Sequence, residues 1–239
     1  MKTTLYFSDN GKIKNTLIDV SVPDVDTIES SLSTSRPGVR NEFKAFKTAW
    51  KNDYAPKLSM SAALVPETPA FLRDTLLPVL PEGMKNTFRD ANIQKTFCGI
   101  WTLGPVLDAL SDELMRDNLV WAFFLDVAAT NVLLHLHARL LTLIPDFFSE
   151  TVKYSIAEYY PGSDLAESGL VPYIADRAIE IGFPAQRNKY GMIQPKKSQC
   201  AIIFCGENAN RIPKMPCGVC LGAKCTYHQL GGCHMGRDW

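Results

Sequence analysis

Residues 2–21 alternate loosely between apolar and polar positions, with Leu5, Phe7, Ile13, Leu17, Ile18 and Val20 as the apolar set. Asp9-Asn10-Gly11 falls between the two halves. Asn-Gly accommodates the positive-φ turn that joins twisted antiparallel strands, so the pattern predicts a β-hairpin. Residues 22–37 are rich in Ser, Asp, Pro and Thr and read as loop. Over 40–52, Phe43, Phe46 and Trp50 recur at helical spacing among charges, which predicts an amphipathic helix lying on the body. Residues 53–70 hold three prolines and few periodic apolar positions. They are expected to be loop with short extended pieces, and the best place for a linker. In 70–85, Leu72, Leu76, Leu77 and Leu80 suggest a helix that Pro78 and Pro81 cut short.

The pattern strengthens from Thr96. Phe97-Cys98-Gly99-Ile100-Trp101-Thr102-Leu103 reads as a buried strand, and Gly104-Pro105 ends it. Residues 105–116 form a helix with Pro105 in its first turn. Residues 117–144 form the longest helix, apolar on nearly all sides and so expected to be central. Residues 146–156 extend as helix, Tyr159-Tyr160-Pro161-Gly162-Ser163-Asp164 is a turn, and 165–182 is a helix closed by Gly182. Gln194 to Lys197 reads as a turn whose flanks are antiparallel strands.

Composition narrows the function classes. Of the 239 residues, 46% are apolar and 21% charged, with zero formal net charge, which suits a globular protein with a real core. Without a basic run, neither a nucleic-acid nor an anionic-membrane partner has electrostatic support. The apolar stretch from Leu119 to Ile144 carries Asp126, Asn131, His135, His137 and Arg139, which are costly in hydrocarbon, so a buried helix is expected and not a membrane span. Met1 to Asp9 holds no apolar run of the kind an export signal uses, so the expected location is cytoplasmic.

Six of the seven cysteines crowd into the last forty residues. In a reducing compartment such crowding points to metal and not to disulfides. Cys217, Cys220, Cys225 and Cys233 follow C-x2-C-x4-C-x7-C within seventeen residues, interleaved with Gly218, Gly222, Gly231 and Gly232. The glycines allow the close backbone approach that a cluster loop needs. Four thiolates suit an iron–sulfur cluster, with a four-iron cluster the first expectation. Structural zinc more often uses two close pairs flanking a longer loop, and only one C-x2-C is present, yet zinc stays open. So do a redox or inert thiol group and replacement of one cysteine by His228 or His234. Cys200 and Cys205 lie at opposite parity on a strand and are expected to be buried small hydrophobes on opposite faces.

Four segments between residues 96 and 206 occur in an order that resembles the activation domain of cobalamin-dependent methionine synthase, especially its stand-alone relatives. Phe97 to Pro105 is similar to that family's strand ending in TIGP, and Ala122-Phe123-Phe124-Leu125-Asp126-Val127-Ala128-Ala129-Thr130 to its LLDAxGS helix. Tyr160-Pro161-Gly162 sits where the family has SPGY, and Gly191 to Ser198 followed by Ala201-Ile202-Ile203 resembles MMxPxKSVSGIIG. The resemblance covers a little under half the chain. It implies a cleft near Asp126, Glu158, Tyr160 and Gly162, and a corrinoid protein or corrinoid methyltransferase as partner. In the family, an arginine three residues before the Pro-Gly holds S-adenosylmethionine. Glu158 stands there, Tyr160 replaces a small residue, and Ile203 replaces an aromatic one. A glutamate would repel the ligand's carboxylate, which sets the expectation against S-adenosylmethionine.

The remaining polar candidates carry less. His135 and His137, two apart on a helix, point to different sides and read as packing residues. Asp126 within an apolar helix is expected to bond a neighbouring loop or line a cleft. No P-loop and no dinucleotide fingerprint is present, so any electron must come from a separate donor. The expected architecture is α+β: an antiparallel sheet with central helices, activation-domain-like, plus a small C-terminal metal-binding subdomain. The expected division is 1–90, an N-terminal α+β region outside the resemblance; 91–210, the activation-domain-like core; and 211–239, the metal-binding tail. The expected function is an accessory iron–sulfur protein that passes an electron to cob(II)alamin on a partner. The alternatives are a non-enzymatic corrinoid or partner-binding module with structural zinc, and a domain that binds S-adenosylmethionine.

Overall fold

The computed structural model describes residues 1–9, 12–23, 25–26, 37–80, 85–86, 88, 91–144, 155–161 and 169–209. Strands β1 (Lys2–Asp9), β2 (Lys12–Asp19), β3 (Ser61–Glu67), β4 (Ile93–Thr102), β5 (Ser155–Tyr159) and β8 (Ser198–Gly206) form one sheet in the order β2-β1-β3-β4-β8-β5. Only β1 and β3 run parallel; the other neighbours are antiparallel. β6 (Gln186–Arg187) and β7 (Ile193–Gln194) make a small separate ladder. The mixed α+β class with a mostly antiparallel sheet is therefore as expected, and the sheet draws strands from both sides of residue 90.

Helical layers cover both faces of the sheet. Helices α1 (Pro37–Ala49), α2 (Pro105–Asp117) and α3 (Leu119–Leu143) share one core with Leu5, Ala62, Leu64, Phe97, Trp101, Ala201, Ile203 and Cys205. Helix α4 (Leu170–Glu180) shares the second core with Ala63, Val65, Cys98, Ile100, Cys200, Ile202 and Phe204. Alternate residues of β4 and β8 thus feed opposite cores, which is why both read as nearly continuous apolar runs. Cys200 and Cys205 do face opposite sides, and both are buried.

Local chemistry fixes the joints. Gly104, at φ +86°, turns the chain from β4 into Pro105 of α2, and a Cβ there would lie 2.7 Å from the Ser59 carbonyl oxygen. Asn118 serves two helices. Its N–H donates to Leu114 O (2.8 Å) at the end of α2, and its side-chain oxygen accepts from Trp121 N (3.1 Å) at the start of α3. Gly182, at φ +88°, closes α4 as expected. Phe43 and Phe46 of α1 meet Phe124 and Trp121 of α3 with ring centroids 5.1 and 5.8 Å apart, the amphipathic docking that their spacing predicts. Helix α3 has the length and hydropathy of a membrane span, yet 61% of its most apolar stretch is buried inside the protein.

Three sequence expectations are corrected. Residues 53–70, expected as a linker of loop with short extended pieces, hold the end of a π turn (Trp50–Tyr54), a 3-10 turn (Ala55–Lys57) and β3, an interior strand of the sheet. Ser61 through Val65 are all buried, so β3 shows no alternation, and Pro66 comes only near its end. Residues 155–156, expected as helix, begin β5; residues 145–154 lie outside the described residues. The strands flanking Gln194 to Lys197 do not pair with each other, since β7 joins β6 while β8 joins β4 and β5. Of the hairpin's apolar positions, Ile13 and Leu17 are 58% and 63% exposed.

Candidate functional site

Helix α3 lies along the sheet and brings its polar residues to two stations. At its start, the Asp126 carboxylate forms an ion pair with Lys197 Nζ (2.5 Å), and the same ammonium lies 3.4 Å from Thr130 Oγ1. Lys196 next to it donates its backbone N–H to Asp108 (2.8 Å) and pairs through Nζ with Asp112 (2.5 Å) on α2. The Lys196-Lys197 turn before β8 is thereby fastened to both helices. Asp126, expected either to bond a loop or to line a cleft, bonds a loop.

The second station lies further along. Eleven residues separate Asp126 from His137, about three helical turns and about 16 Å of rise, which returns to nearly the same side of the helix. His137 is 5% exposed, and its ring stacks on Trp101 of β4 (centroids 4.8 Å, interplanar angle 14°). Its Nε2 contacts the Glu158 carboxylate of β5. Tyr160 Oη lies 3.3 Å from both His137 Nε2 and Glu158 Oε1. Glu158 and Tyr160 are two apart on an extended chain and therefore share a side. An imidazole N–H and a phenol O–H can both donate to this carboxylate, so the three groups satisfy one another. The Trp101 Nε1–H beside them is buried without a hydrogen-bond partner among the described residues.

Of the predicted cleft residues, Glu158 and Tyr160 come together, and Asp126 stands at the other station. Gly162 lies outside the described residues. So do Cys217, Cys220, Cys225 and Cys233, and with them the C-terminal subdomain. Among the described residues, no group of three His, Cys, Asp or Glu side chains converges to hold a metal ion. The three described cysteines are sealed in the cores. Burial pushes the Cys200 and Cys205 thiols up to about 12, and burial, reinforced by the Glu67 carboxylate, raises Cys98 well above its ordinary range.

A third polar cluster lies on the α4 face. The Glu67 side chain of β3 is 3% exposed and accepts from Arg177 Nε (3.0 Å) and from Tyr173 Oη (3.0 Å), four residues apart on α4. Burial and the Glu67 charge raise the Tyr173 phenol. Burial pulls the Arg177 guanidinium down, but its bond to Glu67 outweighs this and holds it above its ordinary value.

Comparison with known proteins decides no family. No family model matches the chain, and no curated protein matches it. The arrangement is therefore read from its own chemistry. His137 is the residue that sequence reasoning misses. The His135-x-His137 spacing speaks only to mutual ligation, whereas the informative partner is Glu158, a distant carboxylate that only the β5–β8 pairing brings beneath α3.

Proposed function

We propose that this protein is an accessory iron–sulfur protein of corrinoid-dependent methyl transfer, working in the cytoplasm and passing one electron from a separate donor to cob(II)alamin held by a partner. The observation that carries the reading is the set Cys217, Cys220, Cys225 and Cys233 within seventeen glycine-interleaved residues. Its support is strengthened by the fate of the other three cysteines. Cys98, Cys200 and Cys205 are buried with raised thiols, which makes them poor metal ligands and directs the reading to the tail set. A cluster in that set would supply low-potential one-electron chemistry, which cobalt reduction requires. The body would serve to position the tail against the corrinoid partner.

The polar network at Glu158 also bears on the ligand. A carboxylate engaged by His137 and Tyr160 offers no cation to an incoming carboxylate, so the reading places no S-adenosylmethionine there. The test is metal and sulfide analysis of oxygen-free protein, with spectra before and after dithionite. Iron and acid-labile sulfide in matching amounts, with a spectrum that bleaches on reduction, are expected. Stoichiometric zinc without iron would overturn the reading in favour of a binding module with a structural staple.

A further inference from the structure

Strand β2 ends the sheet and pairs with β1 alone among the described residues, so one row of its backbone N–H and C=O groups faces outward. Its side chains alternate between the two faces. Ile18 turns to the core of α1, α2 and α3. Ile13, Asn15 and Leu17 turn to the other face, where they stand beside Ser8, Tyr6 and Thr4 of β1. Helix α4 packs on β3, β4 and β8, and Phe183, just past its end, lies edge-on to Tyr6 of β1. Ile13 and Leu17 are 58% and 63% exposed, a branched apolar pair on a strand edge that no other described strand pairs with.

The order of these residues is self-complementary. In an antiparallel pair, residues directly opposite share a face. Two copies of β2 related by a two-fold axis through Asn15 would set Asn15 against Asn15, Ile13 against Leu17 and Leu17 against Ile13. On the opposite face Lys14 would oppose Thr16, and Lys12 would oppose Ile18, so no lysine stands directly against another. Moving the register by two residues in either direction separates the apolar pairs: one shift sets Lys14 against Lys14, and the other sets Leu17 against Asn15. A one-residue slip places apolar residues on opposite faces. Of the possible pairings, only one joins the two exposed apolar residues without like charges in direct opposition.

We propose that β2 is a homodimer edge: two copies join β2 to β2 about a two-fold axis at Asn15, making one continuous sheet with an Ile13–Leu17 stripe across the seam. A second copy is the occupant because the complementarity is of the strand with itself, as an isologous interface requires. This interface uses β2 alone and does not rest on the reading of the cysteine tail.

The test uses the full chain. Asn15→Cys places two thiols face to face on the axis, at the Cα separation of about 4.5–5.5 Å that a disulfide spans. Mild oxidation is expected to yield a reducible dimer from Asn15→Cys, well above the wild-type chain treated alike, and not from Thr16→Cys, whose opposite residue is Lys14. Light scattering across a dilution series is expected to show the mass falling from dimer toward monomer. Leu17→Lys, a change at an exposed position that spares the fold, shifts that transition at least tenfold higher in concentration. Equal crosslinking of Asn15→Cys and Thr16→Cys would overturn the proposal. So would a crosslink from the thiol introduced by Asn15→Cys to a tail cysteine of the same chain, or a mass that stays monomeric at every concentration.

Discussion

Replacing Arg177 by methionine keeps an unbranched side chain of similar length on α4 and removes the charge that faces Glu67. The Glu67 side chain, 3% exposed, would keep the Tyr173 hydroxyl, 3.0 Å away, and the Cys98 thiol, neither of which carries a positive charge. Two unit charges at about 4 Å attract by about 4 kcal/mol at the effective dielectric of about 20 that fits protein sites. Breaking a fully buried pair by deleting one partner costs about 3–5 kcal/mol. Arg177 is 33% exposed and partly screened, so the loss is expected below that range, at about 2–3 kcal/mol. Urea unfolding at neutral pH reads this as a lower midpoint with an unchanged slope. The mechanism makes a second demand. If the cost is mainly that of an abandoned charge, Glu67→Gln combined with Arg177→Met should be more stable than Arg177→Met alone, because the neutral amide still accepts from Tyr173. A single variant within about 0.5 kcal/mol of wild type would refute the assigned role of the pair, and a double variant less stable than either single one would refute the reasoning about charge.

Three further outcomes follow from the fold. Cys98, Cys200 and Cys205 are buried with raised thiols, so a thiol reagent should spare these three in the native protein and label them once it is unfolded. Because the folded thiols of Cys200 and Cys205 titrate at about 12 against an ordinary 9.0, their contribution to stability is complete below pH 9 and is lost as pH rises through about 12, so urea midpoints should fall across that window. Gly104→Ala places a Cβ 2.7 Å from the Ser59 carbonyl oxygen at φ +86°, and a loss of about 2 kcal/mol or more is expected in the same unfolding assay.

The sequence by itself determined those parts whose physics is local. Asn10-Gly11 and its flanks specified the β1–β2 hairpin. Pro105 and Gly104 specified the turn into α2, Gly182 the end of α4, and the apolar run after Asn118 the helix α3. Each depends on residues within a turn or two of one another. The four-cysteine spacing is legible in the same way, as a pattern of donors along the chain. Tertiary structure decided the rest. β3 was unreadable because burial on both faces erases alternation, and its parallel neighbour β1 is more than fifty residues away. The open face at Ile13 and Leu17 was hidden because an apolar residue on a strand reads as core until the covering layer is known to stop short of it. Glu158 could be named from the sequence, but its meaning could not. Its charge is met by His137, twenty-one residues earlier and on another element, and pairing of β5 with β8 beneath α3 is what brings the two together.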